Sequence, residues 1–185
     1  MIKNISNLGD AALYCDFGQD VNKETNYLVI KYFKTLKNKR IEGINNLIPS
    51  YNKLIICFDL KITNFFKIKN FLLNLKVISN LKTNNKKIEI PVCCDEEYGL
   101  DFERLTKKLN LSKDEILKLY FDKEYFCYMT GFIAGMPFVG DISKKIRCNR
   151  LETPRVKVPK GSIGITEQFT NIYTFESPGG WNIIG

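Results

Sequence analysis

Two patterns in the sequence predict an α+β chain in two parts. Over residues 11–93, short runs of strand-type residues alternate with segments of helical periodicity. From Tyr125 to Gly185, glycine and proline recur beside aromatic and β-branched residues with no further helical spacing, as in a small β-barrel. The chain of 185 residues is 44% hydrophobic, enough for a packed core in one domain or two small ones.

The elements follow in order. Residues 11–17, after the turn-prone Leu8-Gly9-Asp10, read as an opening strand. Residues 24–38 place Val29, Ile30, Phe33 and Leu36 on one face and lysines on the other, an amphipathic helix. Ile41 to Ile48 and Leu54 to Asp59 are strands joined by the turn Pro49-Ser50-Tyr51-Asn52. Residues 63–79 carry Phe65, Ile68, Leu72 and Leu75 at helical spacing, with Thr63 or Asn64 able to cap. Ile88 to Cys93 is a further strand, giving the order βαββαβ of a ferredoxin-like layer. The lysine- and asparagine-rich stretch from Asn80 to Lys87 marks the boundary, so residues 1–86 form an N-terminal α/β domain and 87–185 a second domain. There, residues 101–109 form a short helix, and Ser112 with Glu115 forms a capping box opening another through Ile116, Leu117 and Tyr120.

Composition narrows the chemistry. The formal charge is +8, but the basic residues are dispersed and mostly lysine, which suits solvated faces better than a nucleic-acid footprint. No apolar run has the length of a membrane span, and residues 1–20 lack the sections of a secretory signal, so the expected protein is soluble, cytoplasmic and free of membrane. The cysteines, Cys15, Cys57, Cys93, Cys94, Cys127 and Cys148, show no C-x-x-C spacing; most sit in apolar strand-like runs, where a reduced cysteine acts as a small hydrophobe, and no metal site is expected. Histidine is absent, which removes the usual neutral-pH base, and Ser162 therefore makes a poor nucleophile. No Walker-type loop is present, so no ATP site is identified in this chain.

The candidate site lies in the last third. Gly131, Gly135 and Gly140 punctuate an apolar run containing Tyr128 and Phe132, as turns, bulges or points where a ligand approaches the main chain. Arg155 can grip a carboxylate or phosphate. Ser177-Pro178-Gly179-Gly180-Trp181 places a rigid turn, two permissive residues and a large ring in succession, with Trp181 walling a pocket or burying in an interface in preference to plugging the core. Glu97 and Asp101 sit where acids favour a helix start. No catalytic residue is assigned.

Several segments together carry a resemblance. They are Gly9-Asp10-Ala11-Ala12-Leu13, Pro49-Ser50-Tyr51-Asn52, Pro91-Val92-Cys93, Glu97-Tyr98-Gly99 with Asp101, Tyr128-Met129 with Gly131, Phe132 and Gly135, Thr153-Pro154-Arg155 through Ile165, and Ser177-Pro178-Gly179-Gly180-Trp181 with Ile184-Gly185. In that order they resemble the B subunit of bacterial 5-oxoprolinase, the family also called allophanate hydrolase subunit 1, carboxyltransferase domain subdomain, or sporulation-kinase inhibitor. The resemblance implies a cyclophilin-like β-barrel as the second domain. It also implies partnership with the C and A subunits of that enzyme, and opening of the lactam of 5-oxoproline to glutamate with ATP bound at the level of the complex. Its departures are that Tyr120 stands where the family carries a histidine and that the chain stops at Gly185, a C-terminally shortened barrel. Those departures imply an alternative, a non-catalytic histidine-kinase inhibitor-like protein or a degenerate member without activity.

Overall fold

The computed structural model describes residues 1–78 and 86–185. Ser79 and most of the expected linker, residues 80–85, lie outside the described residues. The chain separates into two compact units, Met1–Lys86 and Lys87–Gly185.

The first unit starts with a hairpin. Strands β1 (Asn4–Asn7) and β2 (Ala12–Asp16) pair antiparallel around Gly9, whose φ of 61° is open to glycine without strain. Helix α1 (Lys23–Lys39) begins where the Asn22 side chain accepts the Thr25 N–H at 2.8 Å and ends at the left-handed Arg40. Strands β3 (Ile44–Pro49) and β4 (Lys53–Phe58) follow, then helix α2 (Phe65–Leu73), capped by Asn64. The sheet order is β1-β2-β4-β3, antiparallel throughout. In β4 burial alternates without a break: Leu54, Ile56 and Phe58 enter the core, while Lys53, Ile55 and Cys57 are half-buried on the other face. Leu13, Cys15, Val29, Leu36, Ile68 and Leu72 complete that core.

Three expectations are corrected here. The element order is ββαββα, not βαββαβ. Strand β1 escaped notice because Ile5 is the one strongly apolar residue in Asn-Ile-Ser-Asn. Ile88 to Cys93 is not a strand: Ile88 and Ile90 are exposed, and Pro91 has no N–H to give a ladder. Helix α2 stops at Leu73, where Asn74 caps it; Leu75 and Val77 still pack on the core, but from extended chain.

In the second unit, α3 (Phe102–Leu109) and α4 (Lys113–Phe121) come first. The capping box of α4 forms as the sequence predicts: the Ser112 hydroxyl accepts the Glu115 N–H at 3.2 Å, and the Glu115 carboxylate accepts the Ser112 N–H at 2.7 Å. Strands β5 (Phe126–Thr130), β6 (Pro137–Gly140), β7 (Arg155–Val158), β8 (Ile163–Thr166), β9 (Phe169–Ile172), β10 (Ser177–Gly179) and β11 (Asn182–Ile183) follow, with one 3-10 turn at Lys144–Ile146.

Five strands make an antiparallel sheet in the order β11-β8-β9-β6-β5, and β7 pairs with β10 as a separate ribbon. This is a mixed α/β unit with antiparallel sheets, and among the described residues no closed barrel forms. Strands β5 and β11 stand at opposite sheet edges, and the two-residue β11 offers few ladder groups for closure. Ile163 and Ile165 of β8 face a core shared with Phe102, Leu105, Ile116 and Tyr120 of the helices. The opposite sheet face carries a smaller core of Met136, Tyr173 and Ile183, joined by Val158 from the ribbon.

Candidate functional site

Beneath the ribbon, side chains from α3, β7, β9 and the segment entering β11 converge. Arg155 stands opposite Gly179 in the β7–β10 register. Its Nη2 donates to Asp101 Oδ1 at 2.7 Å, and Asp101 Oδ2 accepts the Ile183 N–H at 2.6 Å. The Asp101 N–H in turn donates to the Ile183 carbonyl at 3.0 Å. The Asp101 side chain is 5% exposed and that of Arg155 27%. Asp101 precedes α3 but makes no side-chain cap, so its role is this three-way junction rather than the helix-start role its position predicts. Arg155 Nη1 is buried and has no hydrogen-bond partner.

Tyr173 lies at the centre. A Cβ added at Gly179 would sit 2.3 Å from its hydroxyl oxygen, so only glycine lets the ribbon pass this closely. Burial holds the Tyr173 phenol above its ordinary range, with the neighbouring Asn171 amide and the Arg150 and Arg155 cations pulling the other way. Asn171 is 1% exposed, and its amide, although near that phenol, makes no hydrogen bond of ordinary geometry through either atom. A Cβ at Gly164 would come within 2.8 Å of Asn171 Oδ1 and 2.9 Å of Trp181 Cβ. Trp181 is buried, meets Phe138 edge-to-face at 5.6 Å, and carries the Arg150 guanidinium over its ring at 5.8 Å. Gly180 faces Pro154 and Arg150.

Of the residues singled out in the sequence, Arg155, Gly179, Gly180 and Trp181 come together here. Gly131 and Gly135 belong to the β5–β6 loop, which reaches the same core through Ile133 and Met136 and is tied down by the Thr174 hydroxyl donating to the Ala134 carbonyl at 2.8 Å. Phe132, in that loop, is 72% exposed and lies outside the cluster. Ser177 pairs with Val158 at the ribbon's other register point, its hydroxyl engaged with the Pro178 carbonyl at 3.4 Å.

Tyr128 and Gly140 belong to a different group of contacts. The Tyr128 hydroxyl donates to Asp141 Oδ2 at 3.0 Å, and Gln168 donates to the other carboxylate oxygen. Burial first, then that carboxylate, hold the Tyr128 phenol far above its usual range. The Phe126 and Phe169 rings meet Tyr128 edge-on, and a Cβ at Gly140 would crowd Phe169 at 3.1 Å.

The sequence did not single out Asn171, Tyr173 or Gly164 as site residues, although Gly164 lies within the motif of residues 153–165. The available signal was Asn171 within the strand-type run Phe169–Ile172, a residue type depleted in strands unless its amide has a task. Tyr120 packs in the helical core, shares a 2.9 Å hydrogen bond with Thr170 Oγ1, and has its phenol pushed up to about 12 by burial. The six cysteines are free thiols; burial raises the Cys15 thiol to about 12. Among the described residues no three Cys, Asp or Glu side chains gather as metal ligands, and no helix is long and apolar enough to cross a membrane.

Comparison with known proteins gives consistent matches. The family model "Carboxyltransferase domain, subdomain C and D" matches residues 3–185. The B subunit of 5-oxoprolinase from Bacillus subtilis (strain 168) is 31% identical over 193 residues, covering 98% of this chain and 80% of that one. The crystal structure of TTHA0988 superimposes with a TM-score of 0.83 at 27% identity, covering 95% of this chain. This chain spans 35% of TTHA0988, about a third of its length. The Kluyveromyces lactis urea carboxylase matches with a TM-score of 0.82 at 14% identity, over 98% of this chain and 18% of that one, a likeness of fold.

Proposed function

The chain belongs to the carboxyltransferase domain, subdomain C and D family, and from that premise we propose that it is the B component of an ATP-dependent 5-oxoprolinase. In this reading it works with the C and A subunits in the cytoplasm to open the lactam of 5-oxoproline to glutamate. Its first unit replaces the expected ferredoxin-like order by ββαββα, and its second is a cyclophilin-like arrangement left open between β5 and β11. ATP binds at the level of the complex. The observation that carries the reading is the convergence of Arg155, Gly179 and Trp181 on one buried polar cluster in the second unit. A guanidinium offers the oriented donors that a carboxylated substrate requires.

The role of this chain is to bind and orient. Arg155 takes the substrate carboxylate, the glycine-lined ribbon lets the main chain approach the ring, and the buried indole excludes water. Proton transfer at neutral pH falls to a partner subunit, since Tyr120 stands locked at a phenol pKa of about 12. Mixing this chain with the C and A subunits, ATP and 5-oxoproline, and following glutamate, tests the reading. The expected outcome is ATP-dependent glutamate formation that falls at least about tenfold with Arg155→Ala, the scale of one lost charge-assisted hydrogen bond. Intact 5-oxoproline after incubation with the assembled complex overturns it.

The same Tyr120 favours a second reading, a non-catalytic binding protein of the histidine-kinase inhibitor kind. Inhibition of a kinase's autophosphorylation by this chain, without glutamate formation by the complex, selects that reading.

A further inference from the structure

Two polar groups around Tyr173 make no hydrogen bond of ordinary geometry: Nη1 of Arg155, and the side-chain amide of Asn171, which lies beside the Tyr173 phenol. Buried polar atoms in folded proteins are nearly always satisfied, so two orphans around one tyrosine call for a physical reason.

Asp101 supplies the reason for the first. Its two carboxylate oxygens are spoken for separately, Oδ1 by Arg155 Nη2 and Oδ2 by the Ile183 N–H. The carboxylate therefore meets the guanidinium at one nitrogen instead of closing the two-point fork that arginine and carboxylate favour. Because the guanidinium is planar and rigid, anchoring Nη2 sets the direction of Nη1. Asp101 also neutralises the arginine, leaving Nη1 as an oriented donor, while the Arg150 cation over Trp181 keeps the surroundings positive.

Asn171 adds a different chemistry. A side-chain amide presents one acceptor and one donor from a single plane. A ring-held cis amide presents its N–H and C=O along one edge, and the two groups complement each other through paired parallel hydrogen bonds. An orphan guanidinium nitrogen and an orphan amide thus describe a ligand bearing a carboxylate and a cyclic amide.

We propose that Asp101 is a positioning residue that holds Arg155 for the carboxylate of such a ligand, and that Asn171 selects its cis amide. This rests on the substrate-binding reading of the same cluster given above. The ribbon covering both groups has two register pairs with an irregularity between them, and it joins the sheet through Gly161 and Gly180. Gly161, at a φ of 93°, adopts the left-handed backbone that glycine favours, and its N–H donates to the Tyr173 carbonyl at 2.7 Å, tying this end of the ribbon to the same tyrosine.

The test uses the full-length chain and three probes: 5-oxoproline, cyclopentanecarboxylate (carboxylate without lactam) and 2-pyrrolidinone (lactam without carboxylate). Affinities come from calorimetry, and side-chain amide resonances from nitrogen-15 NMR. The wild-type chain is expected to bind 5-oxoproline at least about tenfold more tightly than either fragment. Asn171→Leu should abolish the preference over cyclopentanecarboxylate. Asp101→Asn and Arg155→Lys should weaken both acids about tenfold and leave 2-pyrrolidinone unchanged. The Asn171 amide resonances should move with the two lactams alone, a response that a purely structural amide does not give. Arg155→Lys leaves the Asp101–Ile183 bonds in place and carries the test if Asp101→Asn does not fold. An unchanged preference in Asn171→Leu, equal weakening of all three probes by Arg155→Lys, or no binding by the wild-type chain overturns the proposal. Turnover of 5-oxoproline by the complex without dependence on Asn171 sinks this inference and leaves the enzyme reading standing; Asn171-dependent binding without turnover does the reverse.

Discussion

Adjacent glycines at 179 and 180 have opposite duties. A methyl group at Gly179 would lie 2.3 Å from the Tyr173 hydroxyl, whereas at Gly180 the nearest atom is a Pro154 carbon at 3.6 Å. Gly179→Ala is expected to destabilise by about 1–3 kcal/mol through overpacking, and Gly180→Ala to stay within about 0.5 kcal/mol, both read by chemical denaturation. Charge enters through Asp16, whose carboxyl is held below its usual range chiefly by the Lys53 hydrogen bond at 2.6 Å. A depressed folded pKa adds stability above the unfolded value near pH 4, and that stability is lost as pH falls through the folded pKa. Asp16→Asn should therefore flatten the acid limb of a stability–pH curve. Tyr120 has the opposite sense. Its phenol is raised to about 12 by burial, so its contribution is complete below the unfolded value near 10 and lost as pH rises from there through about 12. Tyr120→Phe should remove that alkaline loss in melts followed by circular dichroism.

At the scale of elements, α4 illustrates a structure specified locally. Both reciprocal bonds of its capping box are made, so Ser112→Ala should cost about 1 kcal/mol and lower the melting temperature of the full chain. The ribbon illustrates the reverse. Arg155–Val158 alternates cation and valine over only four residues and Ser177–Gly179 not at all, and burial does not follow the alternation, Val156 being 80% exposed while Val158 is buried. What holds the pair is tertiary: Val158 in the small core, Arg155 on Asp101, and Gly179 against Tyr173. Asp101 joins α3, β7 and β11, so this one carboxylate is where helix and ribbon become mutually dependent. Breaking such a buried pair by removing one partner leaves an uncompensated charge, a larger penalty than its net worth when intact.

At the scale of the molecule, each compact unit carries its own hydrophobic core, one on Leu13, Val29 and Ile56, another on Leu105, Ile116 and Ile165. A chain comprising residues 87–185 alone is therefore expected to unfold cooperatively, with dispersed amide resonances as the check; a molten spectrum would refute it. The candidate site draws only on that unit, from α3, the ribbon, β9 and β11.

Most of the architecture was legible in the chain because it rests on local rules. The alternation in β4, the spacing of α1 and the Ser112–Glu115 pair each act over fewer than about five residues, the range at which periodicity and capping operate. The failures have equally local causes: Ile5 alone could not mark β1, and Ile88 and Ile90 mimic a strand whose ladder Pro91 interrupts. Sequence alone identified Arg155, Gly179 and Trp181 as worth attention, but it could not bring Asp101, 54 positions away, to the guanidinium. Nor could it separate Tyr128 and Gly140 from that group, or reveal that Asn171 and Arg155 Nη1 end up buried without a hydrogen bond of ordinary geometry. Those outcomes depend on which strands pair and which face each presents, and contacts between residues remote in sequence form only once the whole unit has folded.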